Sequence, residues 1–183
     1  VDTYRERVAR AAVLEADADM VNDISALRFS DQMADTIAKL EVPAILMHIK
    51  GTPDNMQINP FYKDLIPELK QYFHTIIDFA LSKGIRKEKI IIDPGIGFGK
   101  RFEDNLVIIK RLQEFKEFEL PILVGLSRKS FLGTISGETE PIQREAETIT
   151  ANIMTILNGA AIIRVHNVKN AVKSIKVLKR LVE

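Results

Sequence analysis

The chain has 183 residues and no cysteine. This excludes a disulfide framework and thiolate metal sites, and it fits a reducing compartment. Charge of one sign is also lacking: 26 Lys and Arg against 25 Asp and Glu leave a formal net charge of +1. No basic surface therefore argues for nucleic acid or for an anionic membrane as partner. No apolar run comes near the roughly 18 residues that a membrane span requires. The opening Val1-Asp2-Thr3-Tyr4-Arg5 has the layout of neither a signal peptide nor a transit peptide, and a cytoplasmic location is the expectation. Linkers, low-complexity stretches and close internal repeats are absent. So are HExxH, Walker A, EF-hand and dinucleotide GxGxxG patterns; Gly95, Gly97 and Gly99 alternate instead. With 46% hydrophobic and 28% charged residues, residues 1–183 read as one globular domain.

Six short apolar runs are present, and each ends in a polar residue. They are Val1-Asp2, Met20 to Asp23, Ala44 to His48, Ile90 to Gly95, Ile122 to Lys129 and Ala161 to His166. Helical periodicity fills the intervals. It predicts helices over 3–17 (capped by Thr3), 31–39 (opened by Ser30 or Asp31), 61–83 (closed by Gly84), 103–117, 142–157 and 168–182, with a short helix within 127–140. The expected strands are 18–22, 42–47, 90–92, 122–126 and 161–165. Ile90 to Ile92 show no alternation, as in a parallel strand buried on both faces. Strands that are apolar until their last residue bring their polar residues to one rim, the signature of a (β/α)-barrel with its chemistry at the carboxyl ends. A closed barrel has eight strands and about 250 residues, whereas five strands and the tip of a sixth are counted here. The expected fold is thus an α/β (β/α)8 TIM barrel lacking the first two strands and most of the third, about two and a half βα units before Val1. An open α/β sheet complete in itself is the alternative.

Three segments carry chemistry. In Ile90-Ile-Ile-Asp93-Pro94-Gly95-Ile96-Gly97-Phe98-Gly99-Lys100, Asp93 ends a buried strand before a tight glycine-rich turn. Its carboxylate suits a two-donor edge such as the amino-pyrimidine of a pterin or guanine; the alternative is that Asp93 caps its own turn. In Gly125-Leu-Ser-Arg-Lys129-Ser130-Phe131, Lys129 suits a ring carbonyl or imine, and Ser130 opens a helix able to hold an anion; the alternative is a solvated basic loop. In Arg164-Val165-His166, alternate positions share a face and suit an anionic leaving group; the alternative is an ion pair with a capping histidine. Asn22, with Asp23, and Asp2 end their own runs, and Asn22 offers both a donor and an acceptor. His48 reads as loop-structuring, and Met47 and Phe98 as core or as walls around a planar ring.

In this order the segments DTYR (Asp2–Arg5), VNDIS (Val21–Ser25), LMHIKGTPDNMQ (Leu46–Gln57), DPGIGFGK (Asp93–Lys100), GLSRKSF (Gly125–Phe131) and RVHNV (Arg164–Val168) resemble dihydropteroate synthases of the pterin-binding family. The resemblance covers the whole chain and implies the (β/α)8 barrel of that family. It implies that Asp93, Asn22 and Asp2 hydrogen-bond a pterin with Lys129 at its oxo and imine edge, and that Met47, Phe98 and Ile24 line the pocket. Gly125 would admit the ring, Arg164 and His166 would bind diphosphate, and Ser130 would meet the carboxylate of p-aminobenzoate. Catalytic roles would fall to Lys129, Arg164, His166 and Asp93. The reaction implied joins 6-hydroxymethyl-7,8-dihydropterin diphosphate to p-aminobenzoate, a folate-biosynthesis step and a sulfonamide target, in a homodimer. The family's magnesium ligand is expected before Val1, with none in this chain. Ala16-Asp17-Ala18-Asp19 departs from the family in lacking a glycine. A methyltetrahydrofolate:corrinoid methyltransferase and an inactive pterin-binding fragment are the other readings; the first has no evident need of GLSRKSF or RVH.

Overall fold

A computed structural model describes residues 1–182. Short parallel strands alternate with helices: α1 (Glu6–Glu15), β1 (Val21–Asp23), α2 (Met33–Leu40), β2 (Ala44–Met47), α3 (Leu65–Ser82), β3 (Ile90–Asp93), α4 (Phe102–Lys110), β4 (Leu123–Val124), α5 (Ser130–Ser136), α6 (Glu145–Leu157), β5 (Ile162–Ile163) and α7 (Val168–Val182). The strands pair in chain order. β1, β2 and β3 form one parallel ladder and β4 and β5 another, and the bridges Asp2–Asn22 and Ile92–Ile122 extend the order to both sides. Each strand is followed by a helix, as parallel neighbours require.

Register explains the two cores. Val21, Ala44, Leu46, Ile90, Ile92, Ile122 and Val124 belong to a large cluster that includes Phe73 of α3 and Phe115. The alternate residues Ile45, Ile91 and Leu123 form a small second cluster with Met20 and Ile162. Neighbours in parallel register point the same way. The rows Asp2–Asn22–Ile45–Ile91 and Met47–Asp93 therefore lie on the face opposite the helices. Leu123–Ile162 share that face, and Gly125 and Arg164 follow two residues on. Both faces of β2 and β3 are covered, which is why these strands read as unbroken apolar runs.

Several sequence expectations shift. α1 opens at Glu6, because the Thr3 hydroxyl accepts the N–H of Arg5 at 3.0 Å and forms a turn ahead of the helix instead of capping it. α2 opens behind Gln32; neither Ser30 nor Asp31 caps it through a side chain. The helix expected over 103–117 breaks at Arg111. Beyond it, Leu112–Phe118 wind as a 3-10 helix, whose three-residue turn stacks the buried Leu112, Phe115 and Phe118 on one side. β4 and β5 are only two residues long, so Gly125 and Arg164 lie past the ladders, at the rim.

Phe73 is fully buried, with Phe115 and Phe118 edge-on at ring-centre distances of 5.9 and 5.8 Å. Phe73→Ala leaves a large void beside the Phe115 and Phe118 rings. It is expected to cost about 3–5 kcal/mol of stability, measured by urea unfolding. A loss under about 1 kcal/mol would mean that these aromatics do not form the core.

Candidate active site

The polar residues at the strand ends share one rim. Asp93 closes β3 and is buried. Its Oδ1 accepts the N–H of Gly95 at 2.7 Å, so it does cap its own turn, and Oδ2 takes no hydrogen bond among the described residues. Burial raises its pKa above the ordinary carboxylate value, while the Gly95 bond, Lys129, Arg164 and Lys100 pull it back. Asn22, at the centre of β1, is buried, and its Oδ1 has no partner among the described residues, an acceptor that a buried polar group rarely leaves empty. Asp23 is spent on structure. It accepts from the N–H and hydroxyl of Ser25 at 2.8 and 2.7 Å and from the N–H of Leu27 at 2.8 Å.

The loop after β3 is forced into shape by its glycines. Gly95 has φ +68°, and a Cβ there would overlap the carbonyl oxygen of His48, so backbone packs on backbone. Phe98 stands out of this loop, half-buried, with Lys129 Nζ 4.5 Å above its ring centre. Lys129 also donates to the Ile96 carbonyl. Burial lowers its pKa to about 8, against the opposing pull of Asp93. Ser130 is exposed and begins α5.

Across the rim, Arg164 pairs with Asp2 from the opposite end of the strand order. Both side chains are half exposed, at 44% and 55%, so this pair adds little stability. A Cβ on Gly125 would lie 3.5 Å from Arg164 Nε; the guanidinium occupies the open side of Gly125. His166 Nδ1 lies 2.8 Å from the hydroxyl of Ser127.

Three cavities line up along these residues. The largest, about 750 Å³, lies between Phe98, Lys129, Ser130, Gln57, Phe61 and Arg101. One of about 270 Å³ is lined by Phe98, Gly125, Ser127, Lys129, Arg164 and His166. A third, about 530 Å³, lies between Asp2, Met20, Asn22, Ile45 and Arg164. Phe98 and Lys129 separate the first two, and Arg164 borders the last two. Nine of the eleven residues singled out from sequence thus gather here: eight line cavities, and Asp93 sits beside Lys129 and Arg164. Met47 and Ile24 line none of the three. Met47 is buried beneath Gly95, and Ile24 lies in the turn after β1.

Sequence reasoning missed Lys100, Ser127 and Gln57. Lys100 is buried and 2.9 Å from His48 Nδ1, and Gln57 Nε2 donates to the Gly97 carbonyl at 2.8 Å. All three stand inside the motifs already quoted. A lone polar residue in a loop has no period, and only the glycines around Lys100 marked a place where chain segments meet.

A parallel α/β scaffold with carboxylate, amide and ammonium groups gathered at its strand ends defines the class: a binding site for a polar, anion-bearing small molecule. The profile of the family described as pterin binding enzymes matches residues 1–166, and the chain belongs to that family. It is 44% identical over 181 residues to the dihydropteroate synthase of Synechocystis, covering 99% of this chain and 62% of that protein. It is 37% identical over 179 residues to that of Escherichia coli, covering 98% and 62%. The Yersinia pestis dihydropteroate synthase with a sulfonamide drug superposes with a TM-score of 0.95 at 36% identity, over 99% of this chain and 65% of that one. The Xanthomonas albilineans enzyme in complex with 7,8-dihydropteroate gives 0.92 at 37%, over 99% and 65%. The chain thus spans less than two thirds of the length of these relatives.

Two lysines shielded from water, Lys100 buried and Lys129 half-buried, make stability depend on pH. Burial lowers Lys100 to about 7 and Lys129 to about 8, against 10.5 in the unfolded chain. Between about pH 7 and 10 the unfolded chain holds more protons on these groups than the folded one, so stability rises with pH. Urea unfolding is expected to shift to higher denaturant from pH 7 to 9.5, with a flatter response in Lys129→Met. A flat or falling response in the parent protein would overturn the burial of both ammonium groups.

Proposed function

We propose that this chain carries the substrate-binding arc of a dihydropteroate synthase. The finer fold reading is part of the proposal: the parallel segments from Asp2 to β5 are an arc of an eight-stranded barrel, and residues 1–183 are one domain within it. The observation that carries the reading is the pair of open acceptors at one rim, Asp93 Oδ2 and Asn22 Oδ1, opposite the cations Lys129 and Arg164. The amino-pyrimidine edge of a pterin presents adjacent N–H donors to such acceptors, and its oxo and imine edge presents acceptors to an ammonium. In this reading Asp93, Asn22 and Asp2 hold the donors. Lys129 turns from Ile96 to the ring edge, and Phe98 and Gly125 flank the ring. The Xanthomonas enzyme's complexes with 7,8-dihydropteroate and with 4-aminobenzoic acid support the same pair of ligands.

The reaction asks little covalent chemistry of the protein. The methylene–oxygen bond breaks and its electron pair leaves with diphosphate. The amine lone pair of p-aminobenzoate forms the new carbon–nitrogen bond, and the nitrogen then loses a proton. Donation from the pterin ring favours a cation-like carbon, so the side chains position the partners and stabilise charge. Arg164 and His166 meet the departing diphosphate, and Ser130 meets the carboxylate of the amine. Homodimer assembly, a cytoplasmic location and magnesium enter through the resemblance. Among the described residues no group of three or more carboxylates and imidazoles is arranged to hold a metal, and no step here passes through one.

Calorimetric titration with the dihydropterin diphosphate, followed by a diphosphate-release assay with p-aminobenzoate, tests the reading. Binding with release supports the synthase. Binding without turnover leaves a pterin-binding arc, and no binding removes both. Asp93→Asn replaces an acceptor by a donor and is expected to weaken pterin diphosphate binding about 10- to 100-fold, as for a hydrogen bond to a charged group worth about 1.5–3 kcal/mol; unchanged affinity would remove the contact. Lys129→Ala is expected to lower turnover at least about tenfold, and parental rates would take Lys129 out of the site.

A further inference from the structure

Every backbone carbonyl from Gly95 to Gly99 is taken by a side chain. Lys100 Nζ donates to Gly95 at 3.0 Å and to Phe98 at 2.9 Å, Lys129 donates to Ile96, Gln57 to Gly97 at 2.8 Å, and the Tyr62 hydroxyl to Gly99 at 2.7 Å. Two of these five bonds belong to Lys100, whose third contact is His48 Nδ1 at 2.9 Å. An ammonium has three protons, and three acceptors converge on it. The His48 ring is itself fixed edge-on against Tyr72, with centres 4.7 Å apart. His48 sits at the end of β2, so Lys100 ties the β3 loop to the neighbouring strand. The loop could not hold this course alone, because Gly95, Gly97 and Gly99 all have positive φ and glycine backbone is the freest to move.

We propose that Lys100 is a positioning residue: by binding Gly95, Phe98 and His48 together it sets where the Phe98 ring stands between the two cavities that meet at Lys129. The proposal rests on the synthase reading for its purpose and on the hydrogen bonds for its geometry. Burial of both partners agrees with it. The pKa of Lys100 falls to about 7 despite Asp93 and Asp104, with Lys129 and Lys50 adding to the fall. That of His48 falls well below its ordinary value, with Lys100, Arg28 and Lys50 contributing. The ring is therefore neutral, and with Nδ1 accepting from Lys100 its proton belongs on Nε2.

Two measurements on the full chain decide the matter. Nitrogen NMR of the parent protein at about pH 6, where Lys100 is mostly an ammonium, is expected to report the Nε2–H tautomer of His48; an Nδ1–H ring has no acceptor for that ammonium and overturns the strut. Hydrogen exchange of Lys100→Met is expected to show the Gly97 and Phe98 amides exchanging at least about tenfold faster while α3 amides keep their rates, the pattern of local opening. Uniform acceleration would mean a general loss of stability, and no acceleration would mean no positioning; either overturns the proposal. If Lys100→Met does not fold, the tautomer decides alone. In the synthase assay, the variant is expected to raise KM for p-aminobenzoate about tenfold with kcat within about threefold. A parent protein that binds no pterin would end the synthase reading and leave the tautomer and exchange results standing.

Discussion

Charge held out of water is the constraint on which the site depends. Asp93, Lys100 and Lys129 meet at the ends of β3 and β4, and an isolated buried charge is expensive unless it is paired and hydrogen-bonded. Each of the three meets that demand through backbone of the same loop: Asp93 takes the N–H of Gly95, Lys100 the carbonyls of Gly95 and Phe98, and Lys129 that of Ile96. The loop and the charges are thus mutually necessary. Without the glycines the backbone could not turn its carbonyls inward, and without the ammonium groups the carbonyls of Ile96 and Phe98 would lose their partners, while that of Gly95 would keep only the N–H of Phe98.

The strand ends were legible from sequence because burial on both faces leaves a parallel strand nowhere to keep a polar residue except at its end. Asp93 stood out against an apolar run for that reason; Arg164 follows the half-buried β5, and Asn22, which nearly ends its apolar run in sequence, lies at the centre of β1. The structure gathers all three at one rim together with Lys129, His166 and Ser130. Element order and type were legible on the same grounds. Five long helices fall within a few residues of their periodic stretches, and α7 matches its expected span, 168–182.

What escaped the sequence is tertiary in origin. Thr3, Ser30 and Asp31 are good capping residues, but the chain enters α1 and α2 on a course set by packing, which leaves their hydroxyl and carboxylate oxygens away from the first-turn amides. The break at Arg111 is followed by a three-residue apolar repeat, Leu112, Phe115 and Phe118, which over so short a stretch reads like helical periodicity. Lys100 and Ser127 act on partners 52 and 39 residues distant, and no local pattern encodes such distances. The Asp2–Arg164 pair, 162 residues apart, depends on the curvature of the whole strand order.

Lys129 shows how one side chain joins two tasks. It lines both the 750 Å³ and the 270 Å³ cavities and lies over the face of Phe98, the ring that stands between them. In the synthase reading the amine arrives from the larger cavity, while diphosphate departs toward Arg164 and His166 in the smaller one. The reacting carbon then lies beside Phe98, with positive charge from Lys129 on one side and from Arg164 on the other. Such charge would oppose a cation-like carbon if it faced that carbon directly. It assists only when aimed at the leaving oxygens and at the ring's oxo edge, a matter of ångströms. In this reading the position of Phe98 keeps Lys129 aimed, and the bonds that hold a glycine-rich loop still then belong to the chemistry of the site.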